Sequence, residues 1–526
     1  MTEQSNINQL SAQDAQFLYI QSPTNLTHVM AVYIYDPSTA PGGKVRFKDI
    51  IEHMRKRMDI SPMFKRKLYR LPLDIDHPYW VEDEHFDLEA HISHSRLPEP
   101  GDWRQFCIHV ARHHSKPLDM NRPLWDMYVL EGLDNIPGYA KGSYAILTRI
   151  HHSTIDGVSG AHFFAAISDK DPEGTPAIPL PKGKAKTNAL PTTAEILNRA
   201  INSTVTSPVK LAQALMKFAP ALLSSAQKNL TGSADKTESG VPKTRFNAAV
   251  TPHKMFDAIT FDLDELKKMR LKAPESTIND VVLAICSGAL RHYLTKHKEL
   301  PEDSLVAVAP VNARSRSGDE SNPGNNISAM TIKIWSNIAD PLERLEAIRD
   351  TTRETKAAKS GLSARIMTDL SKHIPGVTMA GVSRILTDER FAPKMSNLMV
   401  SNVPGPQIQL YMNGAKLTHQ YGLAPLAHGM GLFIATPSYN GTISFSIISD
   451  RKIMPDVEFF RECLQKAFNE LRDAKPSEVA KQPKKASKVP EKPPVSTDGS
   501  VMYRRVTKKP RTVAAKPAGR GKPKVN

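Results

Sequence analysis

Predicted strands and helices alternate in two blocks of similar size, at about 9–171 and about 244–474. Apolar residues at every second position predict strands in both blocks, and apolar residues at every third or fourth position predict helices. The first pattern is seen in HVMAVYIYD and SYAILTRI, and the second in TINDVVLAICSGALRHYL. Strands interleaved with helices are typical of α/β domains, so the sequence predicts an α/β protein with two related halves.

Segments of different composition separate and follow these blocks. DPEGTPAIPLPKGKAKTNALP is rich in Pro, Gly and Lys and predicts a linker. An amphipathic helix is predicted after it, either packed between the domains or lying on a membrane surface. Its two faces carry an apolar stripe of Leu211, Leu215, Phe218 and Leu222, and the cations Lys210, Lys217 and Lys228. The sequence predicts four parts: an N-terminal domain at 1–185, a helical linker at 186–243, a C-terminal domain at 244–474 and a tail at 475–526.

The positive charge of the chain is concentrated in the predicted tail. Residues 475–526 hold fifteen Lys and Arg against three Asp and Glu, a net charge of +12, which leaves +4 of the total +16 for the rest. Because this segment is rich in Lys, Pro, Ala and Ser and has almost no aromatic residues, it cannot bury a core and is predicted to be disordered. It is either a solubilising tail or a contact to anionic lipid, and AGRGKPKVN weakly suggests nucleic acid.

Several classes of protein are excluded by what the sequence lacks. The three cysteines are far apart and form no CxxC pair, which argues against a disulfide framework and a thiolate metal site. The N-terminus has no signal-peptide pattern, and no apolar run reaches about 18 residues. The motifs GxxxxGK[ST], GxGxxG, HExxH and GxSxG are absent, which argues against phosphate-loop, dinucleotide-binding, zinc-protease and serine-hydrolase sites.

Two adjacent histidines, His151 and His152, end the apolar run SYAILTRI and begin the motif HHSTIDG. Successive side chains of a strand point to opposite faces, so the two imidazoles are expected to diverge if the strand includes both. One ring then faces a substrate and the other the packing around it. The alternative is two structural histidines beside a turn at Asp156 and Gly157.

The chemistry open to this motif is general-base catalysis without a covalent intermediate. A histidine and an aspartate stand here with no nucleophilic Ser or Cys motif beside them. The pKa of a histidine lies near neutral pH, so it is suited to take a proton from an alcohol as the oxygen attacks a thioester. The other histidine pair, His113 and His114, lies on a predicted helix and is interpreted as surface or packing.

Further segments narrow this chemistry through a resemblance. HHSTIDG resembles the HHxxxDG signature of the CoA-dependent acyltransferase superfamily. Several segments resemble, in this order, blocks of the bacterial wax ester synthase/diacylglycerol acyltransferases: LSAQDAQFLYIQSPTNLTHV, PLDMNRPLWDMYVLEGL, TINDVVLAICSGALRHYL, VAPVNARS, SNVPGP, LYMNGAKL and SYNGTISFSIISDRKIMPD. The resemblance covers roughly Gln9 to Ala474 and implies two chloramphenicol-acetyltransferase-like domains with a substrate tunnel between them.

The resemblance implies roles for the residues at matching positions of the first block. His152 is implied to be the general base and His151 to support it, while Asp156 orients the turn and Gly157 leaves room for substrate. The substrate pocket is implied to be shaped by Pro123, Leu124 and Trp125, the last of which is alternatively a core aromatic.

Residues of the second block are implied to complete the site. Asn279 is implied to lie near the reacting carbonyl, where its amide stabilises the oxyanion, or to cap the helix that it begins; both roles are compatible. Asp280 is implied to hold the helix start. The second-domain side of the tunnel is implied to come from Ser401, Asn402 and Gly405, the last alternatively a turn glycine.

The sequence departs from the family at two positions. Gln21 stands where relatives often carry an acidic residue, and Asp126 follows PLW where a glutamate is usual. The basic tail extends beyond the common end of the family, so the resemblance gives it no function.

The resemblance implies esterification of long-chain fatty alcohols or diacylglycerol by acyl-CoA, giving wax ester or triacylglycerol. Acyl-CoA is a co-substrate, and neither a metal nor another cofactor is expected. The expected location is cytoplasmic, at the periphery of the inner membrane or on lipid inclusions. Two alternatives are a condensation enzyme of natural-product assembly and a non-catalytic protein that coats or tethers lipid inclusions.

Overall fold

A computed structural model describes residues 9–71, 76–154, 163–164, 167–178, 241–312, 327–357, 381, 383 and 396–475. Residues 179–240 are not among them, so most of the linker predicted at 186–243 lies outside the described residues. The tail after 475 also lies outside them. The helices are α1 (Ala12–Tyr19), α2 (Phe47–Arg55), α3 (Trp103–His114), α4 (Leu263–Arg270), α5 (Ile278–Lys296), α6 (Pro341–Ala357) and α7 (Val457–Asp473).

Strands of the first block are β1 (His28–Asp36), β2 (Arg66–Tyr69), β3 (Tyr79–Glu82), β4 (Ile92–Arg96), β5 (Trp125–Glu131) and β6 (Tyr144–His151). Those of the second block are β7 (Lys254–Asp262), β8 (Val306–Asn312), β9 (Ile327–Lys333), β10 (Leu398–Pro404), β11 (Tyr411–Met412), β12 (Ala415–Leu423), β13 (Leu432–Tyr439) and β14 (Thr442–Asp450). Helices and strands are mixed in both blocks, which confirms the predicted α/β class.

The strands form two six-stranded sheets and one small hairpin. The first sheet has the order β11-β12-β1-β6-β5-β4, the second has the order β7-β14-β13-β10-β8-β9, and β2 pairs with β3. β12 pairs antiparallel with β1, so a strand of the second block completes the sheet of the first. This pairing joins strands on either side of the predicted boundary between the two blocks. The domain boundaries themselves stay predictions.

A single hydrophobic core joins the two sheets. It contains Val32 of β1, Phe106 of α3, Phe256 of β7 and Ile285 of α5, all buried. The indole Nε1 of Trp103, at the start of α3, donates to Asp257 Oδ1 of β7 at 2.7 Å. A second core packs α2 against the other face of the first sheet. Because α3 contacts both sheets, residues on its face of β6 lie between the two halves of the molecule.

Helix α5 shows why the most apolar helical pattern of the chain lies in this core. It is buried along most of its length, from Val281 to Leu290 without interruption. Its first turn is closed by a capping box, in which Thr277 Oγ1 accepts from the Asp280 N–H and Asp280 accepts from the Thr277 N–H. Thr277 is therefore the cap of this helix, and the prediction that Asn279 caps it is wrong.

Candidate active site

The strand β6 ends at His151, so His152 begins the turn instead of continuing the strand. The backbone N–H of His151 donates to Leu124 O at 2.9 Å, and that of His152 donates to Thr27 O at 2.8 Å. The Thr154 N–H then donates to His151 O at 2.9 Å and closes the turn. The two histidines are thus fixed by neighbours on opposite sides.

His151 is completely buried, and both of its ring nitrogens are hydrogen-bonded. Nε2 lies 2.8 Å from Gln21 Oε1 and 2.9 Å from Thr27 Oγ1. Nδ1 lies 2.7 Å from Ser153 Oγ and accepts from the Ser153 N–H at 3.2 Å. Burial lowers the pKa of His151 to about 3, so this imidazole is neutral near pH 7, and its supporting role stays a prediction.

His152 is half-buried and stacks on an aromatic ring. Its imidazole lies over Phe17 of α1 with ring centroids 3.9 Å apart and 14° between the planes. Nδ1 is buried and makes no hydrogen bond to another described residue. Burial lowers the pKa of His152, although a hydrogen bond to its own backbone acts in the opposite direction. The ring is therefore neutral near pH 7 and able to accept a proton.

The predicted turn residues Asp156 and Gly157 lie outside the described residues. Their roles stay predictions.

A partly buried ion pair lies next to the histidine pair, with Arg149 buried and Asp126 half-buried. Asp126 of β5 faces Arg149 of β6 in the strand register, and its carboxylate accepts from Arg149 Nε at 3.0 Å and also from Arg149 Nη2. Burial raises the pKa of Asp126, but hydrogen bonds from His113 and Arg149 and the charge of the guanidinium outweigh it and lower the pKa to about 2. The aspartate that replaces the usual glutamate thus neutralises the nearest arginine.

His113 and His114 of α3 are both buried, so the packing interpretation is confirmed and the surface interpretation is wrong. The Nε2 of His28 lies 2.8 Å from His114 O, and the rings of His28 and His114 are 4.9 Å apart. Burial lowers the pKa of His114 well below its usual value. These histidines form a neutral layer between α3 and the first sheet, behind the catalytic turn.

The PLW segment forms a wall of the first sheet. Leu124 is fully buried against α1, and its carbonyl accepts from the His151 N–H. Trp125 is 1% exposed, stacks on His91, and donates from Nε1 to Phe64 O at 3.0 Å. Pro123 is also buried. Trp125 is the core aromatic of the alternative interpretation, and contact of this segment with substrate stays a prediction.

The start of α5 is held by Asp280. One carboxylate oxygen of this buried side chain accepts from Thr277, and the other accepts from Thr352 Oγ1 of α6 at 2.7 Å. Asn279 lies in the first helical turn and is half-buried. Because Thr277 is the cap, the amide of Asn279 is not needed for that purpose. Its role at the oxyanion stays a prediction.

The SNVPGP segment forms the end of β10 beside β13. Ser401 O accepts from Thr436 Oγ1 at 3.3 Å, and Asn402 pairs with the same residue in the strand register. A Cβ on Gly405 would lie 2.2 Å from Ser438 O, so this glycine permits close backbone approach. Ser401, Asn402 and Gly405 are half-buried, and their role in the tunnel stays a prediction.

A cavity of about 470 Å³ lies where the two sheets meet α3 and α7. Trp103, Tyr139, Tyr421 and Arg461 are among its lining residues. Tyr421 pairs with Val32, four residues along β1 from His28, the partner of His151. The cavity is therefore about 13 Å from the catalytic turn, measured along the strand.

Within the described ranges, no group of three His, Cys, Asp or Glu side chains is placed to hold a metal ion. Nor is any helix among the described residues long and apolar enough to cross a membrane.

Three residues that contact the histidine pair were missed by the sequence interpretation. Gln21 and Thr27 lie 130 and 124 positions before His151, and Phe17 lies 135 positions before His152. Gln21 was noted only as a departure from relatives. The signal that was available is the resemblance of LSAQDAQFLYIQSPTNLTHV to the family, which included all three residues.

Comparison with protein families places both blocks. Residues 10–282 match the wax ester synthase/diacylglycerol acyltransferase catalytic domain, and residues 323–472 match the C-terminal domain of the same family. A Mycobacterium tuberculosis protein named as a diacylglycerol O-acyltransferase is 32% identical over 88% of this chain and 89% of its own. O-acyltransferase WSD of Acinetobacter baylyi is 31% identical over 85% of this chain and 93% of its own.

Solved structures share the fold. The wax ester synthase/diacylglycerol acyltransferase from Marinobacter aquaeolei VT8 matches with a TM-score of 0.62 and 25% identity, over 88% of this chain and 98% of its own. A trichothecene 15-O-acetyltransferase from Fusarium sporotrichioides matches in fold alone, with a TM-score of 0.54 and 13% identity, over 88% and 95%. The predicted two-domain acyltransferase architecture is thereby confirmed.

Proposed function

Because the chain belongs to the wax ester synthase/diacylglycerol acyltransferase family and is an O-acyltransferase, we propose that His152 is its general base. The observation that carries this proposal is the position of the His152 imidazole. The ring is neutral and half-buried, it is held by Phe17 and by its backbone, and it directly follows the end of β6. No nucleophilic residue is needed in this mechanism.

The reaction proceeds by direct transfer between two substrates. His152 takes the proton of the acceptor hydroxyl while the hydroxyl oxygen attacks the thioester carbonyl carbon of acyl-CoA. The tetrahedral intermediate collapses as the carbon–sulfur bond breaks, and the imidazolium returns the proton to the thiolate. The products are an ester and free CoA. Since Nδ1 is buried, we assign the proton transfers to Nε2.

Two further side chains are assigned supporting roles. The amide of Asn279, at the start of α5, donates to the oxyanion of the intermediate, since a donor there is worth most where charge develops. Asp156 orients the turn that presents His152. Acyl-CoA is the co-substrate, and we propose that neither a metal nor another cofactor takes part.

The acceptors we propose are long-chain fatty alcohols and diacylglycerol, which give wax ester and triacylglycerol. The names of the relatives support this substrate class. The cavity lined by Trp103, Tyr139 and Tyr421 supports a substrate route between the sheets, because apolar and aromatic walls suit an acyl chain.

The test is thiol release from palmitoyl-CoA by the full-length protein with hexadecanol or dipalmitoylglycerol. We expect release that depends on the acceptor and that falls at least about a hundredfold in His152→Ala, since a general base contributes roughly 10²–10⁴ in rate. His253→Ala is the matched control, because His253 is exposed and the variant should retain wild-type rates. Thermal melting of each variant verifies that it is folded.

Acceptor-dependent release that persists in folded His152→Ala would exclude His152 as the base. If the folded wild type releases no thiol in response to either acceptor, the proposed substrates are excluded.

We further propose that the protein works at the periphery of the inner membrane or on lipid inclusions, on the cytoplasmic side. The charge of +12 in residues 475–526 and the lysines of the linker support contact with anionic lipid. Flotation with liposomes of anionic lipid at low salt should recover the full-length chain, and deletion of 476–526 should reduce its recovery. Equal recovery with neutral and anionic liposomes would contradict this role.

A further inference from the structure

Catalysis by His152 depends on the backbone turn that presents it, and the imidazole of His151 closes that turn. The residues on either side of His152 are joined through this ring, because Ser153 N–H and Ser153 Oγ both contact His151 Nδ1, at 3.2 and 2.7 Å. The Ser153 N–H can only donate. Nδ1 must therefore be an acceptor, and it must carry no proton.

The other ring nitrogen of His151 is consequently protonated. Its 2.8 Å contact to Gln21 Oε1 fits, since an amide oxygen only accepts. The amide nitrogen of Gln21 faces Met120 Sδ at 3.6 Å, which agrees with the oxygen facing His151. Thr27 Oγ1 donates to Phe17 O at 2.7 Å and offers Nε2 a second acceptor at 2.9 Å.

We propose that Gln21 is a positioning residue: its neutral amide fixes His151 in one tautomer without favouring a second proton on the ring, so that His152 stays active at a lower pH than it would beside a carboxylate at this position. This inference rests on the proposed role of His152. A carboxylate at position 21 would favour a second proton on His151. A doubly protonated ring cannot accept from Ser153, and its charge would also oppose the imidazolium that forms on His152.

The segment that carries Gln21 is held at several points. Thr27 O accepts from the His152 N–H. Thr24 O accepts from Lys254 Nζ of β7 at 3.1 Å, and Thr24 Oγ1 lies 3.3 Å from His428 Nε2. Residues of the second block thus hold the segment against the catalytic turn, so that the Gln21 amide has a defined position.

The surrounding charges agree with a need for a neutral His151. Arg149 is balanced by Asp126, and burial lowers the pKa of His28, which faces His151 on β1, to about 4. Among the residues that the structure describes, the titratable and charged groups around His151 are its neighbours His152 and His28 and, beyond His28, Arg149, Asp126, His113, His114 and Lys254.

The test compares the pH profiles of kcat/KM for Gln21→Glu, Gln21→Leu and wild type. Gln21→Glu keeps the shape and the acceptor of the side chain, so at high pH we expect it to lose less activity than Gln21→Leu does. The acid limb of the Gln21→Glu profile, where kcat/KM falls as the pH drops, should move to higher pH by about one unit. The reason is that the carboxylate favours protonation of His151. Gln21→Leu should lower kcat about tenfold or more at every pH without moving the limb, since the turn is less well positioned.

Gln16→Glu is the matched control, because Gln16 is exposed on α1 and the substitution adds the same charge. Its profile should equal that of the wild type. An equal limb shift in Gln16→Glu and Gln21→Glu would overturn the proposal, since it would report long-range charge alone. A wild-type profile for Gln21→Glu would also overturn it.

If Gln21→Leu does not fold, the isosteric Gln21→Glu alone decides, through its limb. Loss of activity in His152→Ala, together with unchanged Gln21 variants, would refute this inference while leaving the proposed function intact. Activity that persists in His152→Ala would refute the proposed function itself.

Discussion

Arg149 brings a full positive charge into the strand that ends at the catalytic turn. Its side chain is 4% exposed, and besides Asp126 it donates only to carbonyl groups, among them His113 O at 2.9 Å. A buried charge without a partner destabilises the folded state, so Asp126 is needed to offset the burial of Arg149. The guanidinium in turn holds the α3 end and β5 to β6 directly beside the histidine pair.

Replacing Asp126 with asparagine should therefore destabilise the protein strongly. We expect the free energy of unfolding to fall by about 3 kcal/mol or more, because the variant leaves Arg149 buried without a counter-charge. Urea denaturation measures the change. Asp49→Asn is the control, since its partner Arg46 is exposed, and it should cost less than about 1 kcal/mol. Equal losses in the two variants would contradict a special role for the buried pair.

The sequence predicts single residues well where a local rule determines them. The strand at SYAILTRI follows from its alternation of apolar residues, and β6 spans Tyr144–His151. The divergence of the two imidazoles stays a prediction, since His151 contacts Gln21 and His152 contacts Phe17 of the same segment. Contacts from Gln21, Thr27 and Phe17 depend instead on the register between β1 and β6 and on the docking of α1. No local pattern encodes a register between segments more than a hundred positions apart.

At the scale of elements, the start of α5 combines a structural and a proposed catalytic group. Thr277 and Asp280 form the capping box, whereas the amide of Asn279 takes no part in it. Stability and catalysis therefore depend on different residues within one helical turn.

Substitutions at Thr277 and Asn279 should separate these functions. Thr277→Ala is expected to lower the free energy of unfolding by about 1 kcal/mol, because it removes the side-chain cap. Asn279→Ala should keep the melting temperature near that of wild type and lower kcat by about a hundredfold, the loss expected for an oxyanion donor. Thermal melting and thiol release on both variants check this. A fully active Asn279→Ala would remove Asn279 from the mechanism.

Gly405 links β10 to β13 through close backbone approach. A Cβ there would meet Ser438 O at 2.2 Å, so Gly405→Ala must push the strands apart. We expect a loss of about 1–3 kcal/mol in the free energy of unfolding, as for other overpacked sites. Gly422→Ala is a suitable comparison, since its Cβ would lie 3.4 Å from Ala435 Cβ. If urea denaturation gives the same stability for both variants, the close approach does not constrain this position.

Among the elements, those with a strong period were predicted and β12 was not. AKLTHQYGL has only four buried positions, and its centre is the polar run Thr418, His419 and Gln420. Such a run weakens the alternation that identifies a strand. The partner that completes its burial, β1, is nearly four hundred residues earlier. Its place in the first sheet is therefore a property of the assembled molecule.

For the whole molecule, buried neutral histidines predict sensitivity to acid. Burial lowers the pKa of His28 to about 4 and those of His53 and His151 to about 3. In the unfolded chain these groups titrate near about 6.5, so the unfolded state binds more protons between those values. Above pH 7 the titration of these three histidines should not change the free energy of unfolding. This free energy should fall as the pH drops below about 6.5, by up to about 1.4 kcal/mol per pH unit for each histidine.

Urea denaturation at pH 7.5 and 5.5 measures this dependence. His53 is the histidine to test, because it is a buried residue of α2 and has no part in the proposed mechanism. His53→Gln should reduce the difference between the two pH values, and exposed His253→Gln should leave it unchanged. A wild-type stability that is the same at both pH values would contradict the prediction.

The position of β12 in the first sheet also determines when that sheet is finished during synthesis. β1 lies between β6 and β12, so one of its edges is open until the residues of Ala415–Leu423 have left the ribosome. An open strand edge invites pairing with other chains. The nascent protein carries this exposed edge through most of its translation. A chain truncated anywhere before Ala415 would therefore be prone to aggregate and would not be a smaller active enzyme.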